Sequence, residues 1–263
     1  MVSYHLLAQT LSPHSEFPAS RLAHAISSAI RGLIPHETYV ELACEAQTHR
    51  PADEVLSSRV AQLLQSDCNP LLDLVRGCDT EHQFVQRWNA INTRLKLGVS
   101  TFVSSENAHA SRTSHKGTDH NLRCHVMTLF LHHLRSVRRS RRIPSRHELF
   151  DIATEMGSAC HVHADLIAYL YERPAASLPM CVAALGGSRR TFQRYLGIAG
   201  VSFLDIRQAV RISLGKNMLR ETMHTMTEVA LCAGFYDAAH FCHAFRQSCG
   251  LSPSEYRVLA LAN

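Results

Sequence analysis

The sequence predicts a mainly α protein: an all-α C-terminal domain with two helix-turn-helix units joined by a long linker helix, preceded by a mixed α+β N-terminal domain. Three observations carry that expectation. Apolar residues recur at helical spacing along most of the chain. A stretch of prolines and small residues, "ERPAASLP" (172–179), interrupts the pattern. Beyond it, residues 180–202 and 228–252 repeat one plan. At 263 residues, 46% of them hydrophobic, there is enough chain for two cores.

Taken in order, "ETYVELACEA" (37–46) is β-branched and alternating, which predicts a strand. "ADEVLSSRVAQLLQ" (52–65) places Val55, Leu56, Val60, Leu63 and Leu64 at helical spacing, and 80–97 does the same with Phe84, Trp88, Ile91 and Leu95. "GVSTFVSS" (98–105) reads as a second strand, 105–121 as a polar, turn-rich connection, and another helix starts at Leu122. The proline-rich break divides the chain into 1–172, for sensing or self-association, and 173–263.

Composition narrows the function classes. The net charge is +5, and nine basic against five acidic residues beyond position 179 place about +4 of it in the C-terminal part. Such a bias favours a polyanionic partner. No apolar run approaches the twenty residues of a membrane span, and the start "MVSYHLLAQTLSPHSEF" lacks the basic and apolar regions of a secretory signal. None of the nine cysteines forms a C-x-x-C pair, so they read as reduced, largely buried thiols of a cytoplasmic protein. There is no G-x-S-x-G, phosphate loop, H-E-x-x-H or dinucleotide fingerprint, and hence no expected catalytic residue or cofactor. Cys124–His125, "CHVH" (160–163) and "HFCH" (240–243) raise the alternative of a metal- or redox-responsive sensor, but none supplies a four-ligand zinc set. "LRSVRRSRRIPSRH" (134–147) carries six arginines and reads as a solvated helix end.

The repeat is the most informative feature. Each copy opens with a short Ala-rich helix, passes a glycine turn, and starts a second helix at a capping side chain, Ser188 or Asp237. An aromatic follows four residues later (Phe192, Phe241), and G-x-S closes the unit. Phe192, Phe241, Phe245 and Leu231 read as core. Between the copies, Phe203, Ile206, Val210, Leu214, Met218 and Leu219 form the stripe of a linker helix over 202–221.

Residues 178–257 resemble the DNA-binding domain of the AraC/XylS family of bacterial transcription regulators. The likeness rests on "EVALCAGFYDAAHFCHAFRQSCGLSPSEYR", with its Gly-Phe turn, aspartate, F-x-x-x-F-R and G-x-S-P-x-x-Y-R, and on "LGGSRRTFQR" and "RQAVRI". "LGIAG" is one residue shorter than the usual family spacing, which predicts a shortened end to the first reading helix.

Arginine rows on helices are ordinarily solvated surface; the resemblance changes their reading here. Arg190, Gln193 and Arg194 stand at i, i+3 and i+4, one row of donors suited to guanine or adenine edges in a major groove. Ser188, Arg189 and Thr191 are expected at phosphates. In the second unit the resemblance implies that Ala239, His240, Cys242, His243 and Arg246 face the duplex. They are short or weak readers, so specificity is expected to lean on the first unit. The resemblance implies promoter DNA as partner, allows RNA polymerase, a small-molecule effector and a homodimer, and names no effector-binding residue.

Overall fold

A computed structural model describes residues 2–11, 21–49, 51–95, 101–103, 110–112, 120–139, 147–155 and 161–262. A short strand β1 (Val2–Tyr4) leads into helix α1 (His5–Leu11) and, after α2 (Arg21–Ile30), pairs antiparallel with β2 (Leu33–Pro35), Ser3 opposite Ile34. Helices α3 (His36–His49), α4 (Asp53–Gln65), α5 (Pro70–Arg76) and α6 (Glu81–Arg94) follow. A second two-stranded ribbon joins β3 (Thr101–Val103) to β4 (Ala110–Arg112), and α7 (His120–Arg139), α8 (Glu148–Glu155) and α9 (His161–Glu172) complete the N-terminal part. The rest is helical: α10 (Leu178–Leu185), α11 (Arg189–Ile198), α12 (Phe203–Glu221), α13 (Met226–Cys232), α14 (Ala238–Cys249) and α15 (Pro253–Leu261).

The strand expected over 37–46 is instead the body of α3. Its buried side chains, Tyr39, Ala43 and Ala46, recur at i, i+4 and i+7, the spacing of one helix face and not of alternation. The helices expected over 52–65 and 80–97 are α4 and α6. The latter starts at a capping box in which the Thr80 hydroxyl and the Gln83 side chain each satisfy the other's backbone N–H. Of the strand expected over 98–105, residues 101–103 are described, and of the arginine-rich stretch 134–147, residues 140–146 lie outside the described residues.

Helix α12 is the axis of the molecule. Its predicted stripe is only part of what it buries: Phe203, Ile206, Val210 and Leu219 are enclosed, Leu214 and Met218 are half-buried, and Ala209, Ile212, Ser213, Gly215 and Lys216 are enclosed as well. A helix buried on nearly every side needs neighbours on every side. Those are α2, α9, α13, α14 and α15. The N-terminal helices therefore share cores with the C-terminal ones: α2 and α8 pack with α9, α11 and α12, while α1, α3 to α7, α13, α14 and α15 belong to a second continuous cluster.

Lys216, counted above among the C-terminal charges, is 1% exposed and contributes nothing to a surface patch. Its ammonium pairs with Asp73 of α5 and lies 3.5 Å from Glu148 of α8, whose other oxygen is 3.4 Å from Arg76. Burial favours the neutral forms of such groups, but the carboxylates reverse this for Lys216 and hold its ammonium charged, well above the ordinary lysine range.

Candidate nucleic-acid interface

The start of α11 is set by Ser188, whose extended backbone (φ −120°, ψ 153°) lets its hydroxyl accept the Thr191 N–H at 3.1 Å. Phe192 and Leu196 point into the core shared with α9 and α12. His163 of α9 also hydrogen-bonds the Tyr195 carbonyl at 3.1 Å. With that face committed, Arg189, Arg190, Gln193 and Arg194 are all solvent-exposed. Thr191 is half-buried, its hydroxyl 2.9 Å from that of Ser188. The Arg194 guanidinium stacks over Tyr195 at 5.3 Å. Among the described residues no carboxylate forms an ion pair with Arg189, Arg190 or Arg194, so their donors are uncommitted. Helix α11 ends at Ile198 and has 10 residues against the 12 of α14, in line with the shortened end that the spacing predicts.

The second unit repeats this construction at greater depth. Asp237 (φ −154°, ψ 175°) accepts the His240 N–H at 2.7 Å, and α14 stops at Gly250, whose left-handed φ of 79° few other residues adopt. Phe241 and Phe245 are fully buried in an aromatic row running from Phe235 to Tyr256, with centroids 5.2–5.5 Å apart. Phe241 lies directly on α12 at Gly215, where a Cβ would come within 2.6 Å of the ring. The outward side presents Ala239, His240, His243 and Arg246, with Cys242 half-buried. Two further residues are exposed on this side. Gln247 continues the His240–His243 row one turn on, a position helical spacing could have supplied, whereas Tyr236, 86% exposed in the turn, carries no such signal. Leu231 departs from its expected core role: it is 56% exposed, because Val229 and Ala230 fill the interior of that short helix.

The second unit also rests on the chain between α9 and α10. A Cβ at Gly234, in the turn of the second unit, would lie 2.7–2.9 Å from backbone atoms of Pro174 and Ala175. Arg211 of α12 donates to the Pro174 carbonyl at 2.9 Å and lies over the Phe235 ring. Burial, with Arg207 nearby, brings its guanidinium down to about 10.

Residues 181–258 match the family model described as a helix-turn-helix domain. The stretch is an AraC-type helix-turn-helix domain. The chain is 34% identical over 80 residues to the ornithine utilization regulator of Pseudomonas aeruginosa, covering 30% of this chain and 24% of that protein. It is 33% identical over 75 residues to the transcriptional activator NphR of Rhodococcus, covering 28% and 22%. To the bifunctional transcriptional activator/DNA repair enzyme AdaA of Bacillus subtilis it is 30% identical over 71 residues, covering 27% and 32%. The chain thus spans between a fifth and a third of the length of these curated relatives. Among solved structures, ToxT from Vibrio cholerae overlays with a TM-score of 0.37 at 15% identity, over 56% of this chain and 52% of that one. In the AraC-type domain, α10–α11 and α13–α14 are the two helix-turn-helix units, α12 is the linker, and α15 closes the second unit behind its Ser252–Glu255 capping box.

No three His, Cys, Asp or Glu side chains among the described residues gather as a metal site, and no described helix is long and apolar enough to cross a membrane. Of the cysteines described, Cys68, Cys78, Cys181 and Cys249 are buried, whereas Cys44 and Cys232 are exposed, so the expected burial holds for some and not for others. Burial pushes the Cys249 thiol up to about 12 and that of Cys68 well above its ordinary value, which keeps both protonated and unreactive.

Proposed function

We propose that the protein is a sequence-specific DNA-binding transcription regulator of bacterial promoters, acting in the cytoplasm and controlled through residues 1–172. The observation that carries this reading is the row Arg190–Gln193–Arg194: three long donors, exposed and unpaired, on a helix anchored by a cap at its start and by Phe192 and Leu196 from behind. Arg190 and Arg194 suit the paired acceptors of guanine, and Gln193 suits adenine. Ser188, Arg189 and Thr191 fit the flanking phosphates, as do His240 and Arg246 of the second unit. Ala239, Cys242 and His243 supply close fit more than readout. Two such helices would enter successive major-groove segments roughly 34 Å apart. RNA polymerase, a small-molecule effector and a second copy of the chain are the further partners this reading admits. The curated relatives of the matched stretch are transcription regulators and give the redox or metal alternative no support; of the clusters that raise it, Cys160 and the side chain of Cys124 lie outside the described residues.

Selection of bound sequences from a random duplex pool tests the reading. The expected outcome is a two-part consensus in which Arg190→Ala erases preference at one position, while Arg189→Ala weakens all sequences alike and flattens the salt dependence. Failure to enrich any sequence, or identical behaviour of the two variants, would overturn it.

A further inference from the structure

We propose that Asn69, which lies well outside the AraC-type domain, is a positioning residue for DNA reading: together with Gly32 it clasps the last turn of α14 and fixes the pose of the second reading helix. The inference rests on the proposed DNA-reading role of α14.

The argument starts from the end of a helix. The last carbonyls of any α-helix have no partner within it, and a buried one must find donors elsewhere. In α14 the carbonyl of Ser248, a fully buried residue, finds two, and both come from the N-terminal region. The Gly32 N–H donates to it at 2.8 Å and the Asn69 side-chain amide at 3.0 Å. The Ser248 hydroxyl completes the clasp by donating to the Ala29 carbonyl at the end of α2.

Asn69 is itself held from all sides. It is 4% exposed, its second amide hydrogen goes to the Ser28 carbonyl at 2.7 Å, its side-chain oxygen caps α5 by accepting the Leu71 N–H at 2.9 Å, and its own N–H donates to Asp67 at 2.8 Å. A side chain with every hydrogen-bonding group committed has one position. Gly32 leaves no slack either. A Cβ there would collide with the Asn69 amide nitrogen and lie 2.5 Å from its Cγ and 2.8 Å from the Ser248 oxygen. Two residues before this carbonyl stands Arg246, and one turn before that His243, both on the outward face. The N-terminal region thus holds α14 by its C-terminal end while the aromatic row holds its middle, and a tilt about Phe241 would require the clasp to open.

The test separates positioning from folding. Asn69→Ser keeps an oxygen able to cap α5 but loses the reach to Ser248. In random-pool selection it is expected to keep the half-site read by α11 unchanged, to blur the half-site read by α14, and to accept spacings one base pair longer or shorter. Affinity for the wild-type site should fall about tenfold, the scale of the one bond lost at the Ser248 carbonyl, while the bond to Ser28 lost with it lowers stability. Gly32→Ala should do the same by displacing Asn69. Both half-sites weakened equally, or neither changed in a folded variant, would overturn the proposal. Hydrogen exchange on the wild-type protein provides a check independent of variants: the Gly32 amide should be as slow as the core amides of α14, and exchange at the rate of an open loop would sink the clasp. If the wild-type protein itself selects no DNA, the reading of function fails; if it selects a two-part site that Asn69→Ser leaves intact, only the positioning role fails.

Discussion

In the first helix-turn-helix unit, α10 and α11 bury only Cys181, Phe192 and Leu196, whereas in the second, α13 and α14 bury Val229, Ala230, Phe241, Ala244, Phe245, Ser248 and Cys249. The side chains after the two caps differ the other way. Arg190, Gln193 and Arg194 stand two, five and six residues after the cap of the shallow unit, where the deep one has Ala239, Cys242 and His243, its exposed Arg246 and Gln247 coming only near the end of α14. Two copies of one local plan thus differ in depth and in what they expose. A helix held on several sides can offer shape and a fixed pose, and a helix at the edge of the fold can spend its exposed face on side chains that discriminate. Under the proposed function, α11 would supply the stronger base readout and α14 the firmer anchor with a weaker half-site of its own.

The largest expected effect falls on the helix both units share. Lys216→Ala leaves Asp73 and Glu148 without their common cation and should cost about 3–5 kcal/mol of stability in urea denaturation. Next, Phe241→Ala and Phe192→Ala compare the two anchors directly. Truncating a buried phenylalanine costs about 3–5 kcal/mol, and Phe241, at 0% exposure within an aromatic row, should sit at the top of that range with Phe192 at the bottom. Equal losses would break the comparison. At the DNA, Arg190→Ala and Arg194→Ala should each lose about 1–3 kcal/mol at particular base pairs, and His243→Ala less than either; the reverse order in binding assays would move the reading role to the second unit. Removing the caps, Ser188→Ala or Asp237→Ala, should cost about 1 kcal/mol each in thermal melts.

A smaller effect is expected from pH. Burial holds His5, His24 and His163 below the ordinary histidine range, against the pull of nearby Asp67 on the first two. The unfolded chain takes up protons near the ordinary value of about 6.5 while the folded one does not, so stability is full above that pH and declines as the pH falls below it. His24→Gln should reduce the difference in melting temperature between about pH 7.5 and 5.5.

What could be read in the sequence is what depends on neighbours close in the chain. Ser188, Asp237 and the aromatic four residues after each are local signals, and each takes its expected place because capping and a buried i+4 position are decided within two turns. The row Arg190–Gln193–Arg194 is exposed for the same reason. Residues 37–46 were deceptive because Thr38 and Val40 suggest a strand, while the packing that decides the matter comes from Tyr39, Ala43 and Ala46. Leu231 follows the repeat in sequence but not in space, its neighbours Val229 and Ala230 having taken the interior. Lys216 reads as one more surface charge because its partners Asp73 and Glu148 lie far away in the chain, Glu148 by 68 residues. The clasp on Ser248 escapes notice more completely: Asn69 is 179 residues distant and carries the common signature of a helix cap.

The contact of Gly234 with Pro174 bears on how this protein can be cut and rejoined. The segment between α9 and α10 resembles a natural seam, with two prolines and small residues, and a chimaera grafting the C-terminal helices onto a foreign partner would be spliced there. Yet its backbone is the floor on which the second unit's turn rests, tied in place by Arg211. A graft that replaced Pro174 and Ala175, or lengthened the stretch around them, would remove that floor while leaving every helix of the transplanted part intact.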